Sequence, residues 1–407
     1  MTPKDGSFKK LPRNVWIVTL TSFLTDISSE MLVNLVPLFL SNVLGAGTAI
    51  IGMIEGLAET TASMMKIYSG ALSDRLGKRK WLTVVGYGIS TIAKPFLYFA
   101  NSWGWVLGVR FSDRLGKGIR TAPRDALVVD AVDDKQRGLA FGLHRAGDTA
   151  GAFLGIGIAA MIVWLTQSDA IQLSRSTFQV VVIASILPAV LAVLVLAIGA
   201  RDSSKLKESS RPIFSLKGLD KRFKYFLVVI ILFTLGNSSD AFIILRAQER
   251  GLNVLHVLLM MMSFSLVYSL LSTPLGILSD KIGRRNLILG GWFTYGLVYL
   301  GFAVSKTGWQ IWALFAFYGV YYAATEGVAK ALVADLVPPE RRGIAFGVYN
   351  AAIGLTVFPA SLLAGILWQG VGNWHGFGPE APFYFGAALA ILAGLIFWRL
   401  FPKVASG

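Results

Sequence analysis

The chain has 407 residues, of which 54% are hydrophobic and 15% charged, with a formal net charge of +15. Soluble domains run nearer about 45–50% apolar and about 25% charged, so the composition excludes a soluble globular protein and indicates a multi-pass membrane protein. Cysteine is absent and histidine occurs three times, which excludes disulfides, thiolate metal sites and thiol nucleophiles and leaves little for a histidine-built metal centre.

The basic N-terminus, MTPKDGSFKKLPRNVW, leads into an apolar run that contains Asp26 and Glu30. It reads as a first transmembrane helix and not as a cleaved signal. Stretches long enough to cross about 30 Å of hydrocarbon then recur. They fall at 15–41, 48–73, 81–100, 104–129, 138–165, 177–199, 225–245, 253–279, 286–304, 308–334, 344–369 and 382–398. This predicts an all-α membrane protein with 12 transmembrane helices. One long polar connection, RDSSKLKESSRPIFSLKGLDKRFK, divides them into an N-terminal six-helix bundle (1–200), a basic linker (201–224) and a C-terminal six-helix bundle (225–407).

With the N-terminus inside, 25 lysines and arginines fall in cytoplasmic segments and only Arg175, Arg246, Arg250 and Lys306 on the other side. The positive-inside rule therefore places both termini in the cytoplasm, and length and short loops suit a cell inner membrane. Nine basic and nine acidic residues lie within helices and balance formally. The excess charge is thus a matter of topology and anionic headgroups, and nucleic-acid binding is not expected.

The two halves repeat one another, making the bundles pseudo-symmetric. GALSDRLGKRK (Gly70 to Lys80) recurs as GILSDKIGRRN (Gly276 to Asn286). ALVVDAVDDKQRGLAFG (Ala126 to Gly142) recurs as ALVADLVPPERRGIAFG (Ala331 to Gly347), displaced by 205 residues. Ser28, Ser29 and Glu30 echo Ser238, Ser239 and Asp240. Together with an arginine-bearing fourth helix, the duplicated loop motif resembles the major facilitator superfamily over essentially the whole chain. The resemblance implies a cavity lined by helices 1, 4, 7 and 10 that opens alternately to each side. It also implies a latch in which Asp74 holds one side closed, Gly70 permits close approach, and Arg75 and Arg79 clamp the loop. Asp280, with Gly276, Lys281 and Arg284, would be the second copy.

Chemistry is expected where the halves differ. Helix 4 carries Arg114, Lys117, Arg120 and Arg124 at steps of three or four residues, one stripe on a helix of 3.6 residues per turn. A charge facing lipid costs at least about 2.5–3.5 kcal/mol near a helix centre, so the stripe faces protein or a water-filled cavity. Substrate contacts are expected from Glu30, Arg114, Lys117, Arg120, Arg124, Asp240, Tyr322 and Glu326, and proton coupling from Asp26, Glu30, His144, Asp148 and Asp240. Each has a plainer role open to it: the carboxylates and cations could pair within the bundle, and His144 could be a packed histidine. Tyr318, Tyr322 and Glu326 repeat every four residues and set rings above a carboxylate on one helix face.

No HExxH, GxSxG or GxxxxGK[ST] pattern occurs, so neither an enzyme nor ATP-driven pumping is indicated. The expected function is secondary transport of a small solute, proton-coupled, by a monomer without cofactor. The basic stripe favours an organic anion or metal chelate. The alternative is proton-antiporting efflux of amphipathic or cationic compounds, and a lipid translocase or non-transporting receptor on the same fold is a third possibility.

Overall fold

A computed structural model describes residues 11–133, 136–202, 219–338 and 341–401. Most of the expected linker, the basic N-terminal arm to residue 10 and the last six residues lie outside them. The described residues form twelve helical spans. The first six are α1 (Arg13–Val43), α2 (Thr48–Leu76), α3 (Arg79–Ala93, continued by a 3-10 segment Lys94–Phe99), α4 (Trp103–Ala131), α5 (Arg137–Gln167) and α6 (Arg175–Gly199). The second six are α7 (Lys221–Glu249), α8 (Val254–Ile282), α9 (Arg284–Val304), α10 (Gly308–Asp335), α11 (Arg342–Gln369) and α12 (Ala381–Leu400). All twelve sequence spans agree with these to within about four residues, the usual looseness of boundaries.

Eight spans are apolar enough to cross a membrane on composition alone; α2, α3, α4 and α10 are not among them. All four carry embedded ions, Glu55, Glu59 and Lys66 on α2, Lys94 on the continuation of α3, the arginine stripe on α4, and Glu326 and Lys330 on α10. Three spans are interrupted. Near Pro37, α1 passes through a turn at Asn34–Leu35 into a short helical piece and a π-helical end, Phe39–Val43. Next to Lys94, Pro95 offers no backbone N–H, and α3 tightens there into 3-10 geometry. The third break corrects the continuous seventh helix expected from the sequence: α7 stops at Gly236, leaves Asn237–Ser239 outside helical geometry, and resumes at Ala241. Asn, Ser and Asp side chains compete with the helix for backbone groups, so the run GNSSD breaks an otherwise apolar helix.

The helices gather into two compact units. One holds residues 11–39, 61–168 and 173–202; the other holds 40–60, 169–172 and 219–401. In the first, α1 packs on α5 and α6, and α3 on α4. In the second, α10 packs on α8 and α9, and α12 on α7 and α9. The first thirteen residues of α2 join the second unit because small residues let their backbone lie on α11. Thr48 Oγ1 donates to the Gly365 carbonyl (2.9 Å) and Thr60 Oγ1 to the Gly354 carbonyl (2.6 Å). In the first unit, glycines at 147, 151 and 155 on α5 bear on Thr19, Phe23 and Ile27 of α1. At Gly151 an added Cβ would lie 2.4 Å from the Phe23 carbonyl oxygen, an approach only glycine allows. This crossing lays the face of α5 that carries Asp148 against the stretch of α1 that carries Asp26.

Candidate functional site

In the first unit the α4 stripe is drawn into a polar network. Arg110, Arg114 and Arg120 are buried, Arg124 and Asp113 half-buried, and Lys117 exposed. Arg120 donates to Ser90 Oγ (2.7 Å), and its guanidinium lies 4.4 Å from the centroid of Tyr87, within cation–π range. Arg124 binds Asp125 Oδ1 through two nitrogens (2.8 and 3.0 Å) and reaches Ser22 Oγ on α1 (3.3 Å). Arg114 lies 4.0 Å from Asp113. The buried Lys94 donates to Ser28 Oγ (2.7 Å) and Ser29 Oγ (3.0 Å).

Both half-buried carboxylates of α1 stand among these cations. Asp26 is under the charges of Lys117, Arg120, Arg124 and Lys94, and Glu30 under those of Lys117 and Arg114. Glu30 also accepts from Asn34 (3.4 Å). On α5, His144 is buried and its Nδ1 lies 3.7 Å from Asp148 Oδ1.

At the loop motif, Arg79 is the organising residue. Buried at the start of α3, it pairs with Asp130 (2.6 Å) and Asp74 (3.3 Å) and donates to the Ala126 carbonyl (3.1 Å). In the second unit Arg284 repeats this against Asp335 and the Ala331 carbonyl. Arginine, carboxylate and carbonyl are all displaced by 205 residues, whereas the loop motif is displaced by 206. The difference falls in the turn, where Gly77 and Lys78 precede α3 but Gly283 alone precedes α9. Other motif residues sit differently from expectation. Among the described residues Arg75 and Asp280 are exposed and make no ion pair, so the clamp is Arg79 and Arg284. Lys281 is exposed as well. Gly70 is in ordinary contact with Ala122, and Gly276 has open space at its Cβ position, so no close approach requires glycine there.

In the second unit the break in α7 sets Asn237 and Asp240 against an aromatic wall. Tyr318 donates to Asn237 Oδ1 (3.2 Å), and Asn237 Nδ2 donates to Tyr321 (3.3 Å). The free carbonyl of Gly236, at the end of the first α7 segment, accepts from Tyr295 (2.8 Å). Tyr295 stacks on Tyr299 with centroids 4.0 Å apart, and Tyr318 meets Tyr322 edge-on at 5.2 Å. Asp240 stands beside the Tyr318 hydroxyl, with Glu59 as its charged neighbour. No lysine or arginine acts on it among the described residues. On the same face of α10, Glu326 accepts from Tyr268 (2.5 Å) and Lys330 (3.2 Å), and Tyr322 lies edge-on to Tyr268.

Several of these partners were not singled out from the sequence: Tyr87, Ser22, Ser90 and Lys94 in one unit, Asn237, Tyr268, Tyr295 and Tyr299 in the other. The polar run GNSSD was the available signal for Asn237 and for the broken helix. Arg246, which the sequence puts in a loop on the side away from the cytoplasm, is fully buried. It donates to the Phe302 (3.2 Å) and Ala303 (2.9 Å) carbonyls and pairs with Glu249 (2.7 Å) and Glu380 (3.0 Å), while Arg250 binds Glu380 (2.6 Å). Burial works to raise the Glu380 carboxyl, but its backbone hydrogen bond and the two arginines overcome this and hold it below the ordinary carboxylate range.

Two six-helix repeats, a broken helix bearing polar residues, and paired arginine clamps fit a carrier built by duplication. The family model for the Major Facilitator Superfamily matches residues 18–254 and 225–406. The chain belongs to this superfamily. It is 35% identical over 394 residues to an uncharacterized MFS-type transporter of Methanocaldococcus jannaschii, covering 95% of each chain. It is 25% identical over 417 residues to the multi-drug resistance efflux pump PmrA of Streptococcus pneumoniae, covering 96% of this chain and 97% of that one. Among solved structures, a POT family transporter in complex with 5-aminolevulinic acid matches with a TM-score of 0.80 at 13% identity, covering 98% of both chains. The nucleoside transporter NupG matches with 0.75 at 14% identity, covering 96% of this chain and 99% of that one. The xylose transporter XylE from E. coli matches with 0.72 at 16% identity, covering 96% of both. These three show the fold alone. The protein is a multi-pass secondary transporter with the alternating-access fold of the superfamily, and not an enzyme.

Proposed function

We propose that this transporter exports amphipathic cations in exchange for protons, with Asp240, Asn237, Tyr318 and Tyr322 binding the solute and the interruption of α7 between Gly236 and Ala241 presenting them. One observation carries this: Asp240 is a half-buried carboxylate among tyrosines, and among the described residues no lysine or arginine acts on it. A carboxylate at membrane depth without a counter-ion calls for one, and aromatic faces around it suit a lipophilic cation. The α4 stripe, from which an anion was expected, supports that solute less well. Its cations stand among Asp26, Glu30, Asp113 and Asp125, with serine and tyrosine as further partners. The similarity to a multi-drug efflux pump over nearly the whole chain points the same way. The basic loops support an orientation with both termini on the cytoplasmic side of an inner membrane.

Thermal unfolding of the purified protein against tetraphenylphosphonium and citrate tests the assignment. A ligand that binds only the folded state stabilises it by mass action. Tetraphenylphosphonium should raise the melting temperature, less at low pH where protons compete, and Asp240→Asn should remove the effect. Stabilisation by citrate that survives Asp240→Asn would overturn the assignment.

A further inference from the structure

We infer that His144 and Asp148 form a two-residue proton site in the first unit, binding one proton between them. The inference rests on proton exchange as the driving reaction. His144 is 4% exposed, and among the described residues neither ring nitrogen has a hydrogen-bond partner, nor does Asp148 Oδ1. Buried polar groups are nearly always bonded, so a cluster of three orphaned atoms in one place asks for an explanation. The separation of 3.7 Å between Nδ1 and Oδ1 exceeds the long end of a hydrogen bond by about 0.5 Å, a gap that a small side-chain rotation would close.

The surroundings suit a site that gains and loses charge. Asp148 faces Asp26 from α1, Arg124 and Asp125 from α4, and Arg145 from α5 itself; His144 faces Arg124, Asp125 and Arg145. Tyr87 of α3 acts on Arg124. Arg124 is already bonded to Asp125 and Ser22, and among the described residues no arginine or lysine pairs directly with Asp148. With imidazole neutral and carboxylate ionised the pair carries one negative charge. A proton taken from water makes it neutral, as imidazolium with carboxylate or as imidazole with carboxylic acid, and release to water restores the charge. Such a proton belongs to the pair and not to one residue.

Duplication shows that the fold does not need this arrangement. In the second repeat the same positions are Tyr349 and Ile353, and Tyr349 stacks on Phe226 with centroids 6.2 Å apart. There the α11 position serves packing; in the first repeat it holds a bare imidazole beside a carboxylate.

With three histidines in the chain, at 144, 256 and 375, nitrogen-15 labelling of histidine and NMR titration read the pair directly, whatever the protein transports. The His144 ring should titrate, and Asp148→Asn should weaken its proton affinity about tenfold, since a charge within 4–6 Å moves a midpoint by about a unit or more. A His144 midpoint unchanged in Asp148→Asn would overturn the pair. In proteoliposomes, His144→Gln and Asp148→Asn should lose uptake of tetraphenylphosphonium driven by a pH gradient while keeping its counterflow, which needs no net proton movement. Gradient-driven uptake equal to that of the unsubstituted protein in both variants would likewise overturn it. If the unsubstituted protein moves no tetraphenylphosphonium in either assay, cation efflux fails as the function, and the NMR titration still decides the pair.

Discussion

Replacing Gly151 should separate α1 from α5. A Cβ at this position would lie 2.4 Å from the Phe23 carbonyl oxygen and 3.1 Å from two further backbone atoms, where ordinary contact begins at 3.4 Å. The helices must part by about 1 Å, and backbone atoms of a packed helix cannot turn aside as a side chain would. Overpacking of this kind costs about 1–3 kcal/mol, against about 1 kcal/mol that alanine gains over glycine in a helix. The net effect of Gly151→Ala is therefore a loss, larger for Gly151→Val. Gly142 supplies the control, being on the same helix with open space at its Cβ position; there only the helix term acts, and Gly142→Ala should be neutral or slightly stabilising. Thermal unfolding in detergent by intrinsic fluorescence would compare the three variants. Equal melting temperatures for Gly151→Ala and Gly142→Ala would refute the claim that this crossing depends on glycine.

Arg246→Leu should lower the melting temperature more than any single change to the exposed loop arginines. It strips donors from two buried carbonyls and a partner from two carboxylates that are about a third exposed, and each buried group left without a partner costs about 1–3 kcal/mol. Arg246→Lys should fall between, because an ammonium cannot reproduce the planar fork; full stability in Arg246→Leu would contradict the network. Arg79→Ala and Arg284→Ala should each reduce transport severely, whereas Arg75→Ala should be mild, as measured in vesicles at matched expression. Glu380, held below its ordinary range, contributes stability present above its unfolded value of about 4.3 and lost as pH falls through the lower folded value. Its ion pairs should therefore be intact from pH 8 to 5, and Glu380→Gln should lower the melting temperature there while removing part of the further drop in acid.

Helix number was legible because it rests on signals a membrane enforces strictly, segment length and charge placement, and duplication because its motifs recur about 205 residues apart. The α4 stripe, too, could be placed away from lipid, against protein or a water-filled cavity, on energetic grounds alone. Its partners could not, since Ser22, Ser90 and Tyr87 are neutral residues that become ligands of arginine only once α1 and α3 are packed beside α4. Asn237 and Asp240 were visible as polar residues, but a helical count through GNSSD assigned them to a regular helix and hid the free carbonyl that binds Tyr295. The loop motif misled in detail for a related reason. Matching letters align Arg79 with Arg285, while the turn lengths give the clamp to Arg284. The burial of Arg246 could not be read locally because, Glu249 apart, its partners lie at the ends of α9 and α12, between about 55 and 135 residues away.

The most direct test of cation export by proton exchange is tetraphenylphosphonium uptake into proteoliposomes whose interior is more acidic than the medium, with membrane potential clamped by potassium and valinomycin. Accumulation that collapses with nigericin, is absent from empty liposomes and is lost in Asp240→Asn is the predicted result. Uptake that persists without the pH gradient, or that is unaffected by Asp240→Asn, would contradict it.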